Sequence, residues 1–298
     1  MNSINIVKTT TYVNSKDICL AVYHWGEIDH ERETIVLIHG YPDSAEVWEA
    51  IAQFLKDDFN VVAYDVRGTG LSDIPVDKKE YAFSYLVEDL SSVINSVSPN
   101  KAVHLVGHDW GALQAWEAVL DDPLKIQIKS YTAMTPSIDH VGWWFKRQWQ
   151  SGTLQGYRNV IQRLAGSSYM AILQIPVLPE LTWFAGLSYI WPKFVGKMEK
   201  VTVQANAKQL RNATGGLGLY RQNLQKGLLH PSTRKTTIPV NMLMMTKDPF
   251  VPAYLCEGMQ EWASDLSYSE VKAGHWGILS QPNKIAKNIK QYVEQQSK

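Results

Sequence analysis

Cysteine is scarce. Cys19 and Cys256, the only two in 298 residues, are too far apart in sequence for a disulfide scaffold, and neither belongs to a C-x-x-C pair or lies near two histidines, which also removes structural zinc. Both read as core thiols. Net charge is missing too: 29 Lys and Arg balance 29 Asp and Glu at a pI near 7.1, so no global field draws the chain to nucleic acid. The opening MNSINIVKTT lacks the charged and apolar regions of a signal peptide, which gives a cytoplasmic reading. No G-x-S-x-G occurs, which disfavours a serine esterase. Internal repeats and low-complexity tracts are also absent.

What is present is an alternation. Apolar runs TIVLIHG (34–40), NVVAYDV (60–66), AVHLVGH (102–108), IKSYTAM (128–134) and PVNMLMM (239–245) read as strands buried on both faces. Helical patterns at 84–97, 110–120 and 281–296 lie between or after them, so the chain predicts an α/β fold with a mostly parallel sheet. Ahead of these, INIVKTTTYV and ICLAVYHWG predict an antiparallel hairpin at a sheet edge. Residues 137–235 differ: they hold thirteen Lys and Arg against Asp139, Glu180 and Glu199, a net +10, and leave −10 on the remainder. This shift predicts a core of 1–136 and 236–298 carrying an aromatic-rich helical cap at 137–235. The surplus reads as a solvated surface or as a contact between oppositely charged subunits, which would make a homodimer. Its functional alternative is attraction of anionic substrates or a membrane surface. Residues 171–192 carry one charge, Glu180, and are long enough to cross a bilayer, but Pro176, Pro179, Pro192 and the central glutamate argue against stable insertion. Cap helices lining an apolar pocket are the expectation, with Trp183 and Trp276 among its walls.

Gly107-His108-Asp109-Trp110-Gly111 falls between a predicted strand and a predicted helix, the context of a nucleophile elbow whose central residue sits on a strained turn between glycines. That residue is Asp109. An aspartate is already an anion at neutral pH and needs no base to attack an sp3 carbon, whereas it would gain little at a carbonyl. The alternative role for Asp109 is to cap the helix that begins at Trp110. An ester formed on Asp109 would need a histidine base oriented by a second acid. Asp248, after PVNMLMM, and His275, after SYSEVK, follow in that order, each just past a strand end. The other histidines (24, 30, 39, 104, 108, 140 and 230) lack this placement. His39-Gly40-Tyr41-Pro42 follows the first buried strand, so the N–H groups of Tyr41 and Trp110 are candidate oxyanion donors, and Tyr41-Pro42 is a candidate cis bond. Asp65-Val66-Arg67-Gly68-Thr69-Gly70-Leu71-Ser72 matches no phosphate-binding pattern and reads as a structural turn. The sequon Asn212-Ala213-Thr214 carries little meaning without a signal peptide.

With H-G-Y-P, D-x-R-G-x-G-x-S, G-H-D-W-G-A and the late G-H-W in place, the chain resembles the α/β-hydrolase epoxide hydrolases over nearly its whole length. The resemblance implies an eight-stranded, mostly parallel sheet with a helical cap, no metal or organic cofactor, and a small apolar epoxide plus water as substrates. It further implies two cap tyrosines that donate to the epoxide oxygen, matched here by Tyr169 and Tyr220, with Tyr157 or Tyr189 as substitutes for the first. Haloalkane dehalogenases share the fold and elbow and would use Trp110 as a halide ligand. They usually add a second halide-binding side chain, often an asparagine after H-G, where this sequence has Tyr41. A hydrolase-fold binding protein without chemistry is the remaining alternative. The basic cap adds acidic epoxides, such as fatty-acid ones, as a substrate class.

Overall fold

A computed structural model of the chain describes residues 8–120, 124 and 127–298. The strand expected over residues 4–7 and the leader region of the same segment lie outside the described residues. Eight strands form one sheet in the order β1-β2-β4-β3-β5-β6-β7-β8. β1 (Lys8–Ser15) and β2 (Ile18–Trp25) make the antiparallel edge hairpin, and β2 pairs antiparallel with β4 (Asn60–Tyr64). From β4 onward, β3 (Thr34–Ile38), β5 (Val103–Gly107), β6 (Ile128–Ala133), β7 (Val240–Met245) and β8 (Leu266–Val271) pair in parallel.

The apolar runs are continuous because both sheet faces are covered. Successive side chains alternate faces, so Ile35 and Leu37 enter one core layer while Val36 and Ile38 enter the other. The first layer is closed by α1 (Glu49–Leu55) and the C-terminal helix, whose Ile285, Ile289 and Val293 recur at helical spacing and are all buried. The second is closed by α2 (Phe83–Val97), α3 (Trp110–Val119) and part of a helical insertion between β6 and β7. Cys256 is buried as expected, but Cys19 is only half-buried, because β2 lies next to the edge strand and one of its sides is thinly covered.

The insertion comprises α4 (Ile138–Gln150), α5 (Leu154–Gly166), α6 (Ser168–Gln174), α7 (Leu178–Thr182), a π turn at Trp183–Leu187, α8 (Ser188–Glu199) and α9 (Gln209–Leu229). No single helix among the described residues is long and apolar enough to cross a membrane; the apolar stretch is broken into segments bent by 100°. α9 is stitched to the core by side-chain amides. Gln209 donates to the Pro42 carbonyl, Asn212 accepts from the Gly70 N–H, and Asn223 bonds the backbone of Tyr81 and Phe83. The sequon residue Asn212 is thus a fully buried tie. Part of the charge complementarity is satisfied within the chain: Arg147 pairs with Glu261, Lys208 with Glu46 and Arg234 with Glu117, each joining the insertion to the core. Exposed pairs of this kind contribute little apiece, so they orient more than they hold.

The glycine-rich turn after β4 is structural, as expected. Asp65 accepts from the N–H groups of Ala45 and Leu71 and from the Tyr23 hydroxyl. Arg67, fully buried, forms a two-pronged pair with buried Asp89 on α2 at 2.6 and 2.7 Å and donates to the Glu80 carbonyl. Removing one member of a buried pair leaves the other charge unsolvated, so Asp89→Ala is expected to cost about 3–5 kcal/mol. Chemical denaturation reads this directly, and a loss under 1 kcal/mol would show that Arg67 finds water.

Candidate active site

Every candidate side chain of the core sits just beyond the carboxyl end of a parallel strand. Asp109 follows β5 and adopts φ 52°, ψ −124°, a conformation that non-glycine residues avoid and that costs on the order of 1–3 kcal/mol. Packing enforces it. A Cβ on Gly107 would strike the backbone of Ala112, and one on Gly111 would strike the carbonyls of Ile38 and His39, so α3 can start against β3 and β5 only with glycine at both positions. Although Asp109 stands at the N-cap position of α3, its side chain makes no capping bond. It turns outward: Oδ1 accepts the Tyr41 N–H at 2.7 Å, and Oδ2 lies 3.6 Å from His275 Nε2. Trp110 is the first residue of α3, where the backbone N–H has no acceptor within its own helix. The Tyr41-Pro42 bond is cis.

His275 lies between two carboxylates. Its Nδ1 is 2.6 Å from Asp248 Oδ2, and Asp248 Oδ1 accepts the N–H groups of Phe250 and Val251 at 2.7 and 2.9 Å. Burial by itself would lower the imidazole pKa, but the charges of Asp248 and Asp109 outweigh it and raise it to about 10. Reciprocally, burial would raise both carboxyls, yet the His275 cation with their N–H donors holds Asp109 and Asp248 below the usual carboxylate range. His108 Nε2 is 2.8 Å from the His275 carbonyl, so that nitrogen carries the proton; burial, reinforced by the neighbouring His275, lowers His108 to about 4. None of the seven other histidines lines this cavity. His39, for example, is consumed by the Val66 N–H and the Gly40 carbonyl.

Above Asp109 is a cavity of about 330 Å³ whose walls are largely apolar. Tyr169 from α6 and Tyr220 from α9 both line it, together with Trp183, Trp276 and the Tyr41 side chain. Burial, with the Asp109 charge adding to it, raises the pKa of both phenols and keeps them protonated. Tyr157 packs instead on Trp149, and Tyr189 is exposed, so neither reaches the cavity. Trp110, the candidate substrate contact and halide ligand, is buried beside the wall residue Tyr220. It packs edge-on against Tyr220 at 4.7 Å, because the first turn of α3 faces α9.

Three functional neighbours carry no motif. Phe250 packs against His275, Tyr169 and Trp276 at 5.1–5.7 Å and forms part of the cavity wall; its only sequence signal is its place in the turn that Asp248 closes. Glu199, the last residue of α8, accepts the Trp276 N–H at 3.0 Å and the Ser280 hydroxyl at 2.7 Å, tying the insertion to the loop of His275. It is one of three acids in a strongly basic segment, which was the available hint. Asp43 accepts the Trp276 indole N–H at 3.0 Å; burial pushes its carboxyl up to about 7 against that bond.

The family model described as alpha/beta hydrolase fold matches residues 33–282. The chain belongs to the α/β hydrolase fold family. "Probable oxidoreductase EphD" of Mycobacterium tuberculosis is 29% identical over 296 residues, 95% of this chain and 49% of that protein, so the chain spans about half the length of this relative. Epoxide hydrolase 3 of Xenopus tropicalis is 24% identical over 95% of this chain and 77% of its own. A solved structure of a Bacillus megaterium epoxide hydrolase in complex with an inhibitor superposes with a TM-score of 0.76 at 22% identity, covering 95% of this chain and all of that one. Relatives named epoxide hydrolases are what the H-G-Y-P and G-H-D-W-G-A motifs implied.

The ion triad has a consequence for stability. Because the His275 value is raised, its stabilising contribution is complete below the unfolded value near 6.5 and is lost as pH climbs through about 10. The depressed Asp109 and Asp248 contribute above the ordinary carboxylate range and lose that contribution as pH falls through their folded values. Urea midpoints measured from neutral to alkaline pH are expected to fall in the wild type and to fall less in His275→Gln; parallel curves would disprove the paired imidazolium.

Proposed function

We propose that this α/β hydrolase opens epoxides to vicinal diols, with residues 137–235 acting as a cap over the core. One observation carries the reading: the same cavity is lined by an anionic Asp109, two protonated phenols, buried Tyr220 and half-buried Tyr169, and a His275 that pairs with Asp248 behind it. An epoxide has no stable leaving group until its developing alkoxide is hydrogen-bonded or protonated, and phenols supply that proton at neutral pH. A haloalkane needs no such acid, which weighs against the dehalogenase alternative.

In the first step Asp109 Oδ2 forms a C–O bond to an epoxide carbon, the ring C–O bond breaks, and the alkoxide takes a proton from Tyr169 or Tyr220. Oδ1, held by the Tyr41 N–H, becomes the ester carbonyl oxygen. Esterification removes the negative charge of Asp109 from beside Nε2, so the imidazole pKa falls, and the imidazolium gives its proton back to the tyrosine phenolate, which leaves His275 neutral as the next base. His275, oriented by Asp248, then takes a proton from water as that water attacks Cγ. The N–H groups of Tyr41 and Trp110 receive the oxyanion, and collapse breaks Cγ–Oδ2 as the leaving alkoxide takes the proton from His275. The diol departs with an Asp109 oxygen, and the acid left on Asp109 returns its proton to the imidazole.

His275→Gln is expected to open the ring once and stall, so intact mass after exposure to an aryl or fatty-acid epoxide should show the protein plus one substrate. Asp109→Ala should show no adduct and no diol. Loss of one general-acid phenol, in Tyr169→Phe or Tyr220→Phe, is expected to slow ring opening on the order of 10²-fold. Halide release from bromoalkanes without diol formation would favour the dehalogenase, while tight ligand binding without turnover would favour a silent binding protein.

A further inference from the structure

Residues 177–190 of the insertion expose six large apolar side chains: Val177, Leu178, Leu181, Phe184, Tyr189 and Ile190 are 44% to 83% accessible. A folded monomer seldom leaves so many together without using them. The single charge between residues 171 and 192, Glu180, is occupied by Arg221 at 2.6 Å, so the face is uncharged in effect. Cations flank it. On α8, Lys193 and Lys197 follow Tyr189 and Ile190 at helical spacing, Lys200 comes one turn later, and all three are exposed with no acidic partner within ion-pair distance among the described residues. The segment has the length and composition of a membrane span but is bent by 100°, so it can lie against a bilayer without crossing it.

We infer that this face docks on an anionic lipid bilayer. The apolar side chains enter the interface, Phe184 and Tyr189 sit at headgroup depth, and the three lysines meet lipid phosphates. The same face carries the mouth of the cavity: Ile172 and Phe194 are 49% and 41% exposed, yet both also line the cavity over Asp109. A docked protein would therefore take up apolar substrate from the membrane rather than from water. That second point rests on the epoxide-hydrolase reading; the docking itself does not.

Sedimentation with sucrose-loaded vesicles tests it, using phosphatidylcholine alone and phosphatidylcholine with about a third phosphatidylglycerol. The wild type should partition at least tenfold more strongly onto the anionic vesicles, and added salt should reduce that preference. Lys193→Gln/Lys197→Gln should weaken binding roughly fivefold per lysine, and Phe184→Asp/Ile190→Asp should abolish it, with thermal midpoints unchanged. Failure of the wild type to pellet with either vesicle, or pelleting that the Asp double variant leaves intact, overturns the proposal. A lipid-free dimer that the same double variant splits assigns the face to a second copy and also overturns it. Vesicle binding without epoxide turnover would leave the docking standing and remove the proposed chemistry.

Discussion

The left-handed conformation of Asp109 is the constraint around which the rest of the site is arranged. A side chain that followed ordinary backbone geometry here would cap α3, and its carboxylate would be spent on helix N–H groups. Because Gly107 and Gly111 let α3 start hard against β3 and β5, the turn between them swings the carboxylate out over the sheet edge. The strain is stored by close packing of three elements, and fully buried residues such as Ile38 and Ala112 resist its relaxation. The Tyr41 N–H then finds a charged acceptor at 2.7 Å.

Electrostatics follow from that placement. Asp248 is a buried carboxylate and Asp109 a half-buried one; two such anions would be costly alone, and they are compatible because His275 lies between them and holds positive charge. This arrangement couples the three groups so that a change in one carboxylate resets the imidazole. Backbone donors at Phe250 and Val251 anchor the far acid, while the near one takes a single backbone donor, from Tyr41.

Over the sheet, the basic insertion and acidic core are complementary within one chain. Arg147, Lys208 and Arg234 meet Glu261, Glu46 and Glu117, while Glu199 reaches the other way to hold the backbone beside His275. The lysines of α8 that find no acid among the described residues flank the exposed apolar face at the cavity mouth. Charge imbalance between two parts of a sequence thus separates into a portion that joins them and a portion that faces outward.

Much of the fold was legible because buried parallel strands and amphipathic helices write their periods directly: all five apolar runs are strands, and Ile285, Ile289 and Val293 face the core. The flanking glycines with Asp109, and the order in which Asp248 and His275 follow strand ends, also pointed to one sheet edge, since a parallel sheet gathers its carboxyl ends wherever they fall in sequence. Tertiary structure decided what depends on direction and distance across elements. It kept Asp109 from a capping bond, put Tyr169 on the cavity wall rather than Tyr157 or Tyr189, packed the Trp110 indole against Tyr220, and brought in Phe250, Asp43 and Glu199. Those choices follow from how α6, α8 and α9 pack over the sheet, and local sequence periodicity specifies which face of a helix is apolar but not which neighbour that face will meet.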